Sequence, residues 1–282
     1  MLICPHCSAM LARDGATYRC ENGHAFDVAR EGYVNLLRTR STGDSAEMLR
    51  ARRAFLERSH YAPLAEAVCE VVDTHLREMP TAGTMGNART SILDSGCGEG
   101  YYLGRLHDYL AAQQGAERYR LWGLDSSKDA IRMAAKRYRE MDFVVADCKD
   151  MIPFANGSIA ALMDIFAPRN PAEFARVLAP GGLLLIVVPS PNHLGELREA
   201  LDLLGMEENK LRNVQDSLRG IFSKPEVRPL EYTMDLTAED VALLVTMTPS
   251  HRHSPEQRLA ALRPDERYRA TAAFTLVACT RV

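Results

Sequence analysis

The stretch Ile92-Leu93-Asp94-Ser95-Gly96-Cys97-Gly98-Glu99-Gly100 decides the fold class. Apolar residues lead into an acidic side chain, glycine then stands at every second position, and Tyr101-Tyr102-Leu103 opens a helical pattern. This order predicts a strand, a tight turn and a helix. The glycines let the backbone turn sharply and approach a ligand closely, and the first helical N–H groups favour an anionic group above the turn.

The spacing of the glycines separates two cofactor classes. A dinucleotide fingerprint needs G-x-G-x-x-G, whereas position 101 is tyrosine and the run is acidic-x-G-x-G-x-G. An acidic residue before the first glycine suits the positive amino group of S-adenosylmethionine better than a pyrophosphate. A second predicted strand ends in Asp125, which is placed to accept ribose hydroxyl groups. Together the two elements resemble those of class I S-adenosylmethionine-dependent methyltransferases, and an ordinary tight turn is the alternative.

Strands and helices alternate beyond this point, which predicts a doubly wound, mostly parallel seven-stranded α/β sheet of the Rossmann-like type. The predicted strands are 91–95, 119–125, 141–146, 158–166, 183–189, 227–236 and 271–280. The predicted helices are 101–113, 128–138, 171–178, about 191–204, 237–246 and 255–262. Ligands of such sheets bind at the carboxyl ends of the strands, where Gly96, Gly98, Asp125 and Asp147 fall. Asp147 is a candidate acceptor for the adenine amino group; a helix N-cap is the equal alternative.

The N-terminal residues carry a second pattern. Cys4 and Cys7 form one short ligand pair, and Cys20 and His24 form another, twelve residues further on. Such pairs are typical of a closed tetrahedral zinc site, whose metal contributes roughly 10–16 kcal/mol to the folding of a small module. We therefore predict one structural Zn²⁺. His6 is the alternative ligand, and free cysteines in a small core are the alternative to a metal.

Composition and chain order suggest three parts: a zinc-binding module (1–37), to which the family resemblance described below adds RNA recognition, a helical connector (38–80) and a methyltransferase domain (81–282). Ser45 is the expected N-cap of the first connector helix, and residues 79–91 read as a linker. The 46% hydrophobic and 25% charged content of the 282 residues is ordinary for a soluble globular protein. No signal peptide or membrane span is visible, and seven cysteines argue against a disulfide scaffold and for a cytoplasmic location.

Five segments together resemble the bacterial 23S rRNA (guanine-N1)-methyltransferases, a family that includes the tylosin-resistance type. These segments are 4–7 (CPHC), 31–37 (EGYVNLL), 43–48 (GDSAEM), 60–64 (HYAPL) and 94–102 (DSGCGEGYY). The resemblance implies methylation at N1 of a guanine in a domain II hairpin loop of 23S rRNA, a zinc module that engages the RNA, and a homodimer. It also implies cofactor contacts from Tyr61, Asp94, Gly96, Tyr102, Leu103, Asp125 and His193.

The resemblance leaves the target guanine open. Residues 43–48 resemble the subgroup typical of Gram-negative bacteria, whereas residues 166–171 (FAPRNP) resemble the Gram-positive subgroup linked to macrolide resistance. The second resemblance implies antibiotic resistance as a consequence, whereas the mixture of the two leaves the exact nucleotide open.

The reaction itself suggests further residues. Guanine N1 carries a proton on its Watson–Crick edge, so the base must be unpaired and the proton needs an acceptor. Asp164 is the candidate base, with a structural carboxylate as the alternative, and Phe166 and Tyr102 are candidates for base stacking. Net charge is −3, but four arginines are candidate phosphate contacts, with a solvated surface as the alternative: Arg52, Arg53, Arg58 and Arg169. A small-molecule methyltransferase and a non-catalytic zinc-ribbon RNA-binding protein are the rival functions.

Overall fold

The computed structural model describes residues 1–39, 44–79, 89–113, 115–201, 203, 209–248 and 259–282. Its strands are β1 (Ala12–Asp14), β2 (Thr17–Arg19), β3 (Ala25–Asp27), β4 (Tyr33–Asn35), β5 (Thr90–Ser95), β6 (Tyr119–Asp125), β7 (Asp142–Val145), β8 (Ile159–Ile165), β9 (Leu178–Pro189), β10 (Glu226–Leu236) and β11 (Tyr268–Thr280). Its helices are α1 (Ala46–Glu57), α2 (Ala62–Glu78), α3 (Tyr101–Gln113), α4 (Lys128–Arg137), α5 (Pro171–Val177), α6 (Gly195–Leu201), α7 (Lys210–Leu218) and α8 (Ala238–Thr246).

The central sheet contains eight strands in the order β10-β11-β9-β8-β5-β6-β7-β4. Six neighbouring strands are parallel: β9, β8, β5, β6, β7 and β4. At the other end of the sheet, β11 pairs antiparallel with β9, and β10 pairs antiparallel with β11. The seven strands β5 to β11 are those predicted for the methyltransferase domain, so the predicted fold class is confirmed. The eighth strand, β4, comes from the N-terminal segment and pairs in register with β7 through Tyr33 and Phe143.

Both faces of the sheet are covered, as the continuous burial of its parallel strands requires. Neighbouring residues of β5 point to opposite faces: Ile92 belongs to the core under α1 to α4, and Leu93 belongs to the core on the other side. That second core includes Phe174 of α5 and Leu218 of α7. The carboxyl ends of the parallel strands lie along one side of the sheet, where loops from several elements meet. We call this side the carboxyl edge.

The zinc-binding segment packs directly on the second face of the sheet. The strands β1, β2 and β3 form a small antiparallel sheet, while Leu2 bridges to Phe154 and the Ile3 amide donates to the Pro153 carbonyl at 3.0 Å. Buried Leu2 and Tyr18 share one hydrophobic core with the central strands. The segment therefore buries its apolar side chains against the methyltransferase fold and not only within itself.

In the connector and the C-terminal region, the structure tests several predicted ends of helices and strands. Ser45 is the N-cap of α1, as predicted, with its Oγ accepting the Met48 amide at 3.2 Å. Strand β9 begins at Leu178, five residues before the predicted start at 183, and ends at Pro189 as predicted. Helix α6 begins only at Gly195, and α7 was not predicted. Gly43, most of the 79–91 linker, the end of the 191–204 helix and the first half of the 255–262 helix lie outside the described residues. Among the described residues, no helix has the length and apolar character needed to cross a bilayer.

Candidate functional site

Four N-terminal side chains form a compact donor cluster. The ligand atoms of Cys4, Cys7, Cys20 and His24 all lie within 4.8 Å of one another. His24 Nδ1 is 3.5 Å from the Cys4 and Cys7 sulfurs and 3.4 Å from Cys20 Sγ, and the Cys7 and Cys20 sulfurs are 3.7 Å apart. A tetrahedron around zinc, with Zn–S of about 2.3 Å and Zn–N of about 2.0 Å, has edges of about 3.5–3.8 Å. The donor set therefore fits the predicted structural zinc.

His6 lies next to this cluster but outside it. Its exposed ring stands 5.1 Å from the His24 ring and stacks on Phe26 at 5.9 Å between centroids. It is absent from the set of residues whose ligand atoms converge. Three thiolates and one imidazole leave no open coordination position, so the metal serves folding and not catalysis.

The glycine turn after β5 is shaped by close backbone approach. Gly96 has φ +85°, and a Cβ built on it would lie 2.3 Å from the Ala167 Cβ. The Gly96 amide donates to the Leu124 carbonyl at 2.7 Å, and the Gly98 amide donates to Asp125 Oδ2 at 2.9 Å. The turn is thus fastened to the end of β6, and only glycine fits at position 96 without displacement.

Asp94 and Asp125 are the carboxylates beside this turn. Asp125 accepts the Gly98 amide and also the Ser127 amide at 2.7 Å, which fixes its orientation. Asp94 is 1% exposed, and neither of its oxygens has a hydrogen-bond partner among the described residues. Burial, with the nearby charge of Asp125, raises the pKa of Asp94 to about 8. A buried carboxyl group without a partner is costly, so it marks a place that a cationic ligand group would satisfy.

Tyr61 and His193 form a buried pair at the same edge. The Ala273 amide donates to His193 Nδ1 at 3.2 Å, so the proton of the neutral ring is on Nε2. Burial lowers the pKa of His193 to about 4, which keeps the ring neutral. Nε2 therefore donates to the Tyr61 oxygen at 3.3 Å, and the tyrosine hydroxyl keeps its own proton for another acceptor. The structure thus brings into contact two of the residues that family resemblance linked to the cofactor, Tyr61 and His193.

The remaining predicted cofactor residues have different surroundings. The Tyr102 hydroxyl is buried with no hydrogen-bond partner in the described chain. Leu103 is fully buried in the core, and its amide belongs to the first turn of α3, where N–H groups lack intrahelical partners. Asp147 follows β7, and its Oδ1 accepts the Lys149 amide at 2.9 Å. One oxygen of Asp147 thus caps a turn at 148–150, and no helix begins there in the described chain, so Asp147 is not the helix N-cap that the sequence left open. Adenine binding by Asp147 stays a prediction.

Asp164 lies near the end of β8 and is fully buried. Its carboxylate has no hydrogen bond of ordinary geometry in the described residues, and Arg169 Nη1 lies 3.9 Å from its Oδ1. Burial raises the pKa of Asp164 well above its ordinary value; Arg169 opposes this shift and Asp94 adds to it. A carboxyl group with this environment can hold a proton near neutral pH.

Three of the four predicted phosphate-binding arginines are engaged within the protein. Arg52 Nη2 lies 2.6 Å from an Asp44 carboxylate oxygen. Arg53 Nε donates to Glu99 Oε2 at 3.2 Å, and Arg58 Nη1 donates to Asp240 Oδ1 at 2.8 Å. These pairs attach α1 to the glycine turn and to α8. Sequence reasoning missed Glu99 as the buried partner, although an acidic residue inside a glycine run was the available signal.

Comparison with known proteins agrees with this architecture. A zinc-ribbon family model described as RlmA, N-terminal, matches residues 2–41, and a model described as methyltransferase domain matches residues 92–182. A 23S rRNA (guanine(748)-N(1))-methyltransferase of Streptomyces fradiae is 39% identical over 92% of this chain and 88% of its own length. A candidate 23S rRNA (guanine-N1)-methyltransferase of Micromonospora griseorubida is 37% identical over 92% of this chain and 90% of its own. A Bacillus subtilis (strain 168) protein with the same type of name is 34% identical, covering 93% and 91%.

Each of these relatives matches more than nine-tenths of the chain. The two family models fall on the two candidate sites described above, the four-donor cluster and the glycine turn with Asp94 and Asp125. The chain therefore belongs to the family of 23S rRNA (guanine-N1)-methyltransferases.

Proposed function

We propose that this protein transfers a methyl group from S-adenosylmethionine to N1 of a guanine in a domain II hairpin loop of 23S rRNA. Membership of the family supports the reaction and the rRNA substrate. The Streptomyces fradiae relative carries guanine 748 in its name, and its 39% identity over 92% of this chain supports the same guanine here. Resistance to tylosin-type macrolides is a prediction that follows only if that guanine is modified.

The unpartnered carboxylate of Asp94 carries the proposal. It is nearly inaccessible, lies directly before the glycine turn, and has no cationic side chain of the described residues within hydrogen-bond distance. We assign Asp94 to the donor's amino group, Asp125 to the ribose hydroxyls, and Gly96 and Gly98 to close backbone contact. Tyr61, Tyr102, Leu103, Asp147 and His193 complete this assignment. When bound, S-adenosylmethionine supplies a methyl group already activated on a positive sulfur.

The protein then has two tasks at the guanine. It must hold N1 in line with the methyl group, an orienting effect that reaches roughly 7–11 kcal/mol at best, and it must take up the N1 proton. We assign the second task to Asp164, because a carboxylate whose pKa is raised by burial is a stronger base once ionised. Arg169 supports the ionised form at 3.9 Å. A structural carboxylate is the alternative that the test below addresses.

Arg169 is also our strongest RNA-binding assignment among the four arginines. It lies on the segment after β8, at the carboxyl edge. The distance from its guanidinium group to the Asp164 carboxylate is long for an ion pair, 3.9 Å. Arg52, Arg53 and Arg58 stay predictions as phosphate ligands; their internal pairs support a role in holding α1 against the glycine turn. An Arg169 phosphate contact predicts that R169Q weakens RNA binding and reduces its salt dependence. The homodimer implied by family resemblance is proposed as well and is tested by sedimentation at several concentrations.

The function is tested by methyl transfer. Full-length protein, labelled S-adenosylmethionine and domain II hairpin RNA are incubated, and the modified base is mapped by reverse transcription, which N1-methylguanine blocks. We expect one stop in the loop, loss of transfer in D94N, and a D164N defect that is confined to turnover with normal binding of S-adenosylhomocysteine. D150N, an exposed surface control, keeps full activity. Transfer only to small molecules indicates the first rival function, and no cofactor binding indicates the second; either result contradicts the proposal.

A further inference from the structure

Phe166 differs from every other large aromatic side chain in the described chain. It is 42% exposed, whereas the other described Phe, Tyr and Trp residues are buried or half-buried. It follows β8 directly, at the carboxyl edge. We propose that Phe166 is the platform on which the unpaired target guanine stacks; this inference rests on the proposed function and names the residue that receives its substrate.

The backbone at this position is strained. Phe166 has φ +57°, a left-handed conformation that costs a non-glycine residue about 1–2 kcal/mol. Two contacts hold it there: the Phe166 amide donates to the Val187 carbonyl at 3.1 Å, and the next residue, Ala167, packs on Gly96. Gly96 has no Cβ, so Ala167 fits against the glycine turn. The same turn that we assign to the methyl donor thus fixes where the Phe166 ring is presented.

Two other rings lie beside Phe166 and leave it partly exposed. Its ring centroid lies 5.5 Å from Phe274 and 6.4 Å from Tyr102. Phe274 is 1% exposed, and its ring centroid lies 5.1 Å from that of Tyr61 and 4.7 Å from that of His193. Phe166 is therefore the solvent-facing end of a row of rings that leads to the proposed cofactor residues. A ring held in place before the ligand arrives loses little conformational freedom on binding.

Exposure and side-chain type also distinguish Phe166 from the other residues on which a base could stack. Tyr102 is half-buried and its hydroxyl is fully buried, so it offers less of its ring to a base than Phe166 does. The other exposed large apolar residues in the described chain are aliphatic and lie elsewhere: Met10, Val227 and Val282. Near Phe166, Asp164 offers an acceptor without a hydrogen bond and Arg169 offers donors. The Watson–Crick edge of guanine, with N–H donors and a carbonyl oxygen, complements such a pair.

The experiment measures stacking separately from chemistry. A domain II hairpin carries 2-aminopurine at the mapped position, and full-length protein binds it with S-adenosylhomocysteine present. Stacking on an aromatic ring quenches the fluorescence of a 2-aminopurine that has left the RNA stack. We expect quenching with wild type, F166W and F166Y, and bright fluorescence with F166A and F166L. With unmodified hairpin, kcat/KM of F166A falls about 10- to 100-fold, the range given by losing one base–aromatic stack.

Affinity for S-adenosylhomocysteine, measured by calorimetry, stays unchanged in F166A, and V282A matches wild type in both assays as the exposed apolar control. The inference is overturned if F166A or F166L quenches like wild type, or if F166A weakens cofactor binding as much as methyl transfer. Failure of the proposed function looks different: wild-type protein binds S-adenosylhomocysteine but methylates none of the hairpins.

Discussion

The zinc module and the carboxyl edge of the central sheet gather polar groups in opposite ways. The four zinc donors come from two short turns within residues 4–24 and already stand at the spacing of a coordination tetrahedron. The carboxyl edge assembles Tyr61, Asp94, Asp164 and His193 from distant parts of the chain, and it leaves both carboxylates without hydrogen bonds to the described residues. The first arrangement is fixed by local spacing, whereas the second exists only after the whole sheet has formed.

The two regions also differ in the kind of partner that their polar groups bind. In the module, one ion satisfies all four donors and stabilises the folded chain. At the edge, the protein leaves polar groups buried and unpaired, which lowers its own stability and raises its affinity for ligands that pair with them. The module should therefore respond to mutation mainly through folding, and the edge mainly through binding.

The largest effect is expected from removing the metal. In C20S one thiolate is lost, and since structural zinc contributes roughly 10–16 kcal/mol in small modules, methylation of RNA should fall about 100-fold or more. Binding of S-adenosylhomocysteine should change by less than about threefold, because the edge is formed by other strands. Zinc content by mass spectrometry, calorimetry and the methyl-transfer assay measure the three quantities.

His6 provides the matched control for this prediction. Its ring is exposed and lies outside the donor cluster, so H6A should keep one zinc per chain and normal stability. An equal loss of cofactor binding and RNA methylation in C20S would show that the module supports the edge directly, through the core that Leu2 and Tyr18 share with the sheet.

The next effect concerns Asp94 and pH. Its pKa of about 8 in the folded chain exceeds the value of about 3.9 in the unfolded chain. Its stabilising contribution is therefore fully present below about pH 4 and is lost as pH rises toward 8, by up to about 1.4 kcal/mol per pH unit. D94N lacks this loss, so it should become more stable than wild type by a margin that grows between pH 5 and 8 in urea titrations.

Ligand binding should show the opposite trend. An ammonium group needs ionised Asp94, so wild-type affinity for S-adenosylhomocysteine should rise between pH 6 and 8, and the affinity of D94N should be low and flat. D150N, which removes half of an exposed ion pair with Arg38, should follow wild type in both measurements. Parallel stability curves for wild type and D94N would mean that Asp94 is already ionised in the free protein.

The contrast between the regions also explains what the sequence could reveal. The zinc ligands follow from spacing alone, and Gly96 and Asp125 follow from a strand–turn–helix pattern that repeats in many proteins. The pairing of β4 with β7 could not be foreseen, since Tyr33–Asn35 is only three residues long and its partner lies more than a hundred residues away. Strand pairing of that kind depends on which edge is free in the folded sheet.

The arginines of α1 show the same limit for side chains. Arg53 and Arg58 were candidates for RNA contact because arginine is common in such surfaces. Their partners, Glu99 and Asp240, are 46 and 182 residues away in the chain. A sequence pattern shows that a charge exists, but the tertiary structure decides whether another charge within the protein already neutralises it.

A smaller effect separates close packing from backbone strain. Gly96 and Gly23 have nearly the same φ, +85° and +83°, but a Cβ on Gly96 would lie 2.3 Å from Ala167 and one on Gly23 would meet nothing within 4 Å. G23A should cost about 1 kcal/mol from φ alone. G96A should cost about 1–3 kcal/mol more from overpacking and should also weaken S-adenosylhomocysteine binding. Equal unfolding free energies would show that the turn can move away from Ala167.

The smallest effect tests whether strain is used alike in both regions. Ser8 in the zinc module and Phe166 at the edge have φ +58° and +57°, and both are non-glycine residues. S8G should raise the free energy of unfolding by about 1 kcal/mol, since glycine tolerates this conformation, and should leave zinc content and RNA methylation unchanged. F166G should likewise be about 1 kcal/mol more stable than F166A, yet both should methylate RNA equally poorly, because the ring is absent from each. Backbone strain at Ser8 then has no role in zinc binding, whereas backbone strain at Phe166 is needed to place the aromatic ring. Recovery of methylation in F166G would refute this distinction, since it would show that the backbone at position 166, and not its aromatic side chain, serves the reaction.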